Sequence, residues 1–190
     1  MTVGSAIDPI HGLSAAVAAL AMLFVIPAAA QTLPAIPRVR SENARIAQLI
    51  ADGPVSSPTF RGLTTAIDGT DGIVYVDSGH CGAGARACLA HSLQVAGPHR
   101  ILRVLVNTRR DCEGLIGAIG HELHHALEIL RQPEIRTSQA MFFHFFGAST
   151  SMTNRFETNG AAEAGARIEN ELRDRARTLR DQAARTRSCS

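Results

Sequence analysis

The sequence predicts an α+β domain in which a small antiparallel or mixed sheet packs on helices. Three observations support this class. Short runs rich in Val, Ile and Leu lie in the middle of the chain, the part after Asp111 shows helical periodicity, and no internal repeat is present. With 190 residues, of which 45% are hydrophobic, the chain can bury the core of one domain but is short for two.

The charge balance argues against nucleic acid as a partner. The chain has 19 basic residues, all arginine, and 17 acidic residues, so its formal net charge is only +2. Six arginines lie in residues 173–187, but Asp174 and Asp181 interrupt them, which is typical of a solvated helix end. We therefore expect the function to come from a local site.

The first 30 residues are predicted to be a signal peptide. Residues 13–26 are almost entirely apolar, and Pro27 and three alanines follow them as in an A-x-A cleavage site. We expect cleavage after Ala30 and export to the periplasm or the cell exterior. No Lys or Arg precedes the apolar stretch, so the alternatives are an uncleaved N-terminal anchor in a membrane and a buried core helix.

The rest of the chain is predicted to be an extended leader at residues 31–40, a single domain at 41–183 and a tail at 184–190. A short helix begins at the N-cap Ser41 and ends at Gly53 and Pro54. A hairpin turn at residues 68–72 joins the first two strands. The predicted strands are residues 59–67, 73–77, 92–95 and 101–106.

Four cysteines are disulfide candidates in an exported protein: Cys81, Cys88, Cys112 and Cys189. The first two enclose a short loop that contains glycine. Four cysteines allow three pairings, and the sequence does not select one. No C-x-x-C is present, so a cysteine-rich zinc site is not expected, and we interpret His80 and His91 as turn or loop histidines.

A helix is predicted over residues 111–130, with Asp111 as its N-cap and Pro133 just beyond its end. It contains H-E-x-x-H as His121, Glu122 and His125. Residues i and i+4 share one face of a helix, so the two histidines can offer two nitrogens to one metal ion. The neighbouring His124 lies about 60° off that face.

The glutamate of the motif is predicted to be the catalytic base. Glu122 lies about 100° round the helix from His121, near enough to reach a water on the metal without being a ligand. Zinc with three protein ligands lowers the pKa of such a water to about 7, and Glu122 would accept its proton and deliver it to a leaving amine.

The motif resembles that of the zincin metallopeptidases and, more closely, of their glutamate-ligand branch, the gluzincins. Residues 102–172 also resemble small exported bacterial proteins that have a G-H-E-L-x-H-A-x-E helix and a following F-E-T helix. The resemblance implies a zincin-like fold with a long C-terminal helix, a zinc ion, a peptide or protein substrate, and a third ligand from a later glutamate. It also implies a substrate-binding edge strand, for which residues 101–106 are the candidate.

Three glutamates compete as the third ligand: Glu128, Glu157 and Glu163. A helix over residues 155–172 would place Glu157 on its apolar, core-facing stripe and Glu163 on its solvent face. Glu128 follows the two histidines on their own helix, where three ligands in line would strain a tetrahedral site, so it suits the orientation of a histidine. We predict Glu157 as the ligand; the alternative is a capping-box partner of Asn154.

Two further features have candidate roles. Four phenylalanines lie within residues 142–146, and core packing is the favoured interpretation, with a hydrophobic substrate wall or a membrane-facing patch as the alternative. Tyr75 and His144 are candidates for the group that stabilises a developing oxyanion.

The sequence therefore predicts an exported zinc metallopeptidase. The principal alternative is a zinc-binding interaction or structural protein with the same fold and no turnover. A further alternative is an amphipathic helical module that binds no metal.

Overall fold

A mixed four-stranded sheet organises the fold. The computed structural model describes Met1 and residues 36–109, 114–148 and 156–188. The strands are β1 (Val39–Arg40), β2 (Gly72–Ser78), β3 (Ala87–Ala96) and β4 (His99–Val106), in the spatial order β1-β2-β4-β3. β1, β2 and β4 are parallel to one another, whereas β3 is antiparallel to β4 and forms one edge of the sheet.

The described residues also form five α-helices: α1 (Ala44–Ser56), α2 (Pro58–Asp68), α3 (Leu115–Leu130), α4 (Ser138–Ala148) and α5 (Asn159–Ser188). α1, α2 and α3 contact the sheet, α5 packs along α3, and α4 lies against β3. The predicted α+β class is confirmed. Among the described helices, none is both long and apolar enough to cross a membrane.

The core lies between one face of the sheet and α3. Alternate residues of the strands point to that face, so Val74 and Val76 of β2 and Val104 of β4 are completely buried. Ile119 and Leu123 of α3 are buried against them. Burial of each large apolar side chain stabilises the folded state by about 1.5–3 kcal/mol before entropy costs. These contacts hold α3 against the sheet.

Small residues allow α5 to approach α3 closely. A Cβ atom on Gly120 of α3 would collide with the side chain of Ile168 of α5. A Cβ atom on Gly165 of α5 would lie 3.2 Å from Cβ of His121. The backbone of α5 therefore runs directly beside the face of α3 that carries the histidines.

A buried arginine holds the end of α3. Arg100 is only 1% exposed, and its guanidinium donates hydrogen bonds to the carbonyls of Ile129 and Leu130 at 3.0 and 2.7 Å, and to two carbonyls after the helix. It also forms a 2.7 Å ion pair with Asp71. The last carbonyls of a helix have no intrahelical partner, so Arg100 satisfies groups that would otherwise be buried and unpaired.

The segment predicted as a strand at residues 59–67 is instead helix α2. Ser57 caps this helix, since its hydroxyl oxygen accepts a 2.9 Å hydrogen bond from the N–H of Phe60, and Pro58 occupies its first position. The buried apolar residues of α2 lie three and four positions apart, which is helical spacing. Residues 68–72 therefore connect a helix to β2, and the predicted hairpin is wrong.

Three helices have ends that differ from the prediction. The cap of α1 is Asn43, whose side chain accepts hydrogen bonds from the next turn, and not Ser41, and the helix continues through Pro54. α3 begins at residue 115 rather than 111. α5 begins at residue 159 rather than 155. Glu157 consequently precedes α5 instead of lying on its apolar face.

The sheet contains three of the predicted strands, but their arrangement differs. Residues 73–77, 92–95 and 101–106 lie within β2, β3 and β4, respectively. β4 is an internal strand between β2 and β3, so the prediction that residues 101–106 form the edge is wrong. β3 begins five residues before the strand predicted at residues 92–95, and it forms an edge of the sheet next to β4.

The phenylalanines of α4 do not all pack in the core as predicted. Phe145 is 3% exposed, whereas Phe142, Phe143 and Phe146 are 40%, 59% and 70% exposed. Packing therefore buries one ring of the four. The interpretation of Phe142 and Phe146 as core residues is wrong because α4 touches the rest of the fold mainly through β3.

Several predictions lie outside the described residues. These include the signal peptide beyond Met1 with its cleavage site, residues 31–35 of the leader, and the individual residues Asp111, Cys112, Asn154 and Cys189.

Candidate metal centre

His121 and His125 lie one turn apart on α3 and line the same cavity, which has a volume of about 670 Å³. Their ring centroids are 4.9 Å apart. Burial lowers the pKa of His121, although the charge of Glu157 opposes this, so the neutral imidazole that binds metals is favoured there.

Glu157 reaches the two histidines from the segment that leads into α5. Its neighbour Phe156 has φ of +47°, an uncommon conformation for a residue other than glycine. The hydroxyl of Thr158 then caps α5 by accepting a hydrogen bond from the N–H of Ala161. The turn and the cap hold the Glu157 side chain beside α3.

His121, His125 and Glu157 form a group that could hold a metal ion. Their ligand atoms all lie within 4.8 Å of one another, and Nε2 of His121 is 3.4 Å from Oε1 of Glu157. Two atoms bound to one tetrahedral metal at 2.0–2.2 Å are about 3.4 Å apart, so this distance fits a shared ion. The meeting of these three residues was predicted, but Glu157 arrives from an extended segment instead of a helix face.

Glu128 orients His125. Oε2 of Glu128 lies 3.0 Å from Nδ1 of His125, and a proton donated there leaves the Nε2 lone pair for a metal. Oε1 of Glu128 accepts a 2.8 Å hydrogen bond from the hydroxyl of Thr158. Burial raises the pKa of Glu128, but the hydrogen bonds from His125 and Thr158 outweigh it, so the pKa is lowered and the group is a carboxylate.

Glu122 is buried between α3 and the edge strand. Its Oε2 accepts a 2.7 Å hydrogen bond from the main-chain N–H of Leu89 in β3, and its Oε1 is 4.0 Å from Nε2 of His121. Burial raises the pKa of Glu122 to about 7, although the charge of His125 and the N–H of Leu89 oppose the change. A carboxyl group with this pKa can both accept and release a proton near neutral pH.

The remaining wall of the cavity comes from a disulfide loop, the edge strand and two aromatic rings. Cys81 and Cys88 are bonded and line the cavity, with Cα atoms 5.8 Å apart, so the structure pairs these two of the four cysteines that the sequence left unassigned. Leu89, Phe145 and Phe156 supply the larger apolar surfaces. The cavity thus combines carboxylates and imidazoles with apolar surfaces, and the ring of Phe145 packs edge-on against that of His125 at 5.3 Å.

Four residues considered in the sequence lie away from the cavity. Tyr75 alternates with the buried residues of β2 and therefore lies on the other face of the sheet. His144 is on α4 and is not among the described residues that line the cavity. His124 lies 3.5 Å from Glu128 but is not part of that lining either. Glu163 is exposed on α5, as predicted.

His91 is a cavity residue that the sequence does not predict. It lies in β3 and lines the cavity, so its interpretation as a turn or loop histidine is wrong, whereas His80 is in an exposed connection as expected. Strand periodicity does not reveal this position, because the pairing of β3 with β4 shifts its register between Leu89 and Leu93 and His91 lies in that irregular stretch. The sequence predicts a strand only over residues 92–95, which leaves His91 outside it.

No protein-family model, curated protein or solved structure shows a significant match to this chain. The fold and the site define it as a small mixed α+β domain with a candidate His-His-Glu metal centre.

Proposed function

We propose that this chain is an exported zinc metallopeptidase of the zincin type, similar to the gluzincins, that hydrolyses peptide bonds. The observation that carries the proposal is the convergence of His121, His125 and Glu157 beside the buried carboxyl of Glu122 in one cavity. Two histidines and a carboxylate as metal ligands, with a separate glutamate beside them, are the groups that metal-assisted peptide hydrolysis requires.

The donor set fits zinc. Two imidazole nitrogens and one carboxylate oxygen are ligands that zinc accepts in catalytic sites, where a fourth position is left open. Zinc bound there would lower the pKa of a water molecule to about 7 and polarise a substrate carbonyl. Glu128 supports this assignment because it holds His125 in the orientation and tautomer that a metal ligand needs.

Glu122 would move the proton. In the proposed reaction it accepts a proton from the attacking water as the new C–O bond forms, and gives that proton to the amine nitrogen as the C–N bond breaks. Burial raises the pKa of Glu122 above the usual range of a carboxyl group, which favours acceptance of that proton. Leu89 holds Oε2, so Oε1 is the oxygen nearer to the ligands.

The substrate in this proposal is a peptide or protein segment in extended form. β3 is an edge strand beside the cavity, and such an edge can pair with a further strand through main-chain hydrogen bonds. The main-chain N–H groups of Leu89 and Leu93 already donate hydrogen bonds to the side chains of Glu122 and Ser138, respectively. Between these two bonds the pairing of β3 with β4 shifts its register, and this irregular stretch of the edge beside the cavity is the proposed docking segment.

One observation favours a second candidate, a zinc-binding protein without turnover. The hydrogen bond from Leu89 gives Glu122 a structural role that does not require catalysis. The two functions are separated by incubating the zinc-loaded chain with a peptide library and identifying the products by mass spectrometry. We expect cleavage that a zinc chelator abolishes and added zinc restores, whereas a zinc-loaded chain that cleaves no peptide supports the second candidate.

A further inference from the structure

His91 has the chemistry that the proposed site otherwise lacks. The described side chains that line the cavity include His121, His125 and Glu157, which are committed to the metal, and Glu122, which acts as base. The others are apolar residues, glycine and the disulfide. Among the described lining side chains, His91 is therefore the one that carries an N–H group and has no other assigned task.

The position of His91 is fixed by aromatic packing. Its ring meets the ring of Phe156 edge-on, with centroids 4.5 Å apart and planes at 76°, and lies 6.4 Å from that of Phe142. Phe156 directly precedes Glu157 along the chain, so this contact places the imidazole next to the segment that supplies the third ligand. Within the described residues, no group hydrogen bonds to either ring nitrogen of His91.

We propose that His91 is a catalytic residue that donates a hydrogen bond to the substrate carbonyl oxygen as this oxygen gains negative charge during hydrolysis. The inference rests on the proposed peptidase function. Both protonation states of imidazole carry at least one N–H, and the ring is exposed to solvent, as a group that meets a substrate must be. A preorganised donor of this kind accelerates acyl transfer by roughly 10²–10³-fold in kcat.

The same contacts allow a different role, in which His91 only packs against Phe156 and so holds Glu157. The variant His91→Phe distinguishes the catalytic role from the packing role, because phenylalanine keeps an aromatic ring against Phe156 but has no side-chain N–H. In the zinc-loaded full-length chain we expect this variant to lower kcat about 100-fold, with KM and zinc affinity within about twofold of wild type. The matched control is His144→Phe, for which we expect no change.

Two outcomes would overturn the proposal. If His91→Phe retains the wild-type kcat, the N–H takes no part in the reaction. If His91→Ala weakens zinc binding while His91→Phe restores both zinc binding and turnover, the residue acts through its packing on Phe156.

A binding measurement separates failure of this proposal from failure of the proposed function. A phosphinate peptide presents a charged oxygen like that of the reacting carbonyl, whereas a thiol peptide binds a metal through sulfur and has no such oxygen. We expect His91→Phe to lower the affinity for the phosphinate peptide about 100-fold and to leave the affinity for the thiol peptide unchanged. A wild-type chain without turnover contradicts the peptidase function, and equal phosphinate affinity of wild type and His91→Phe still overturns the role of His91.

Discussion

The main-chain N–H of Leu89 donates a 2.7 Å hydrogen bond to Oε2 of Glu122, so the edge strand is joined directly to the candidate base on α3. Glu122 is thereby held in one orientation beneath β3. The contact also places the strand proposed to bind substrate beside the group proposed to move the proton.

Replacement of Glu122 by glutamine is expected to separate metal binding from chemistry. Glu122→Gln keeps an oxygen that can accept from Leu89, but an amide cannot accept the proton of the water. We expect zinc content like that of wild type and a loss of turnover on the order of 10²–10⁴-fold. Zinc analysis and kcat/KM are measured on one preparation, and equal turnover by the two proteins would remove Glu122 from the mechanism.

Loss of Glu128 is expected to weaken the metal site without abolishing it. Its carboxylate contacts both His125 and Thr158, so Glu128→Ala frees one ligand and loosens the start of α5. We expect zinc affinity to fall about 10–100-fold in a competition titration with a chromophoric chelator. Glu163→Ala is the control, because Glu163 is exposed on α5 and its removal should leave affinity unchanged.

Arg100 is expected to dominate the stability of the end of α3. Arg100→Leu would leave several buried carbonyls and the Asp71 carboxylate without their partner, at a cost of about 3–5 kcal/mol in the free energy of unfolding. The control Arg103→Leu removes a half-exposed ion pair with Asp77 and should cost less than about 1 kcal/mol. Urea unfolding of the two variants gives the comparison, and equal losses would contradict this account.

Stability is expected to fall in acid through Asp71. Hydrogen bonding by Arg100 holds the pKa of Asp71 below its ordinary value, so the folded chain binds this proton less readily than the unfolded chain. The contribution is therefore fully present above about pH 4 and is lost as the pH falls through the folded pKa. Urea midpoints at pH 7 and pH 3 should differ less in Asp71→Asn than in wild type, and an equal difference would show that Asp71 does not contribute.

The placement of His121, Glu122 and His125 could be predicted because their arrangement is local. Helical periodicity over α3 places His121 and His125 on one face whatever surrounds the helix. The prediction of Glu157 rests on a helical phase that does not apply, since α5 begins two residues after it. The conformation of Phe156 and the bond between Thr158 and Glu128 bring Glu157 to the site, and these are tertiary features that a periodicity argument does not contain.

The parts of the fold that were predicted wrongly have similar causes. The cap Ser57 and Pro58 marked the start of α2, but the β-branched residues of this segment favoured a strand, and burial of Phe60 against the core decides for the helix. The order of strands in the sheet depends on pairing between distant residues, so β4 could not be distinguished from an edge strand. The position of His91 likewise depends on tertiary pairing, since it lies where the register between β3 and β4 shifts.

Metal content is the most direct test of the account. Full-length wild type, His121→Ala, His125→Ala and Glu157→Ala are loaded with zinc, freed of excess metal by gel filtration and analysed for zinc per chain, with Glu163→Ala as the control. We expect about one zinc in wild type and the control and none in the other three variants, because each loses a ligand. A wild-type chain without zinc, or a zinc-replete Glu157→Ala chain, would contradict the proposed centre.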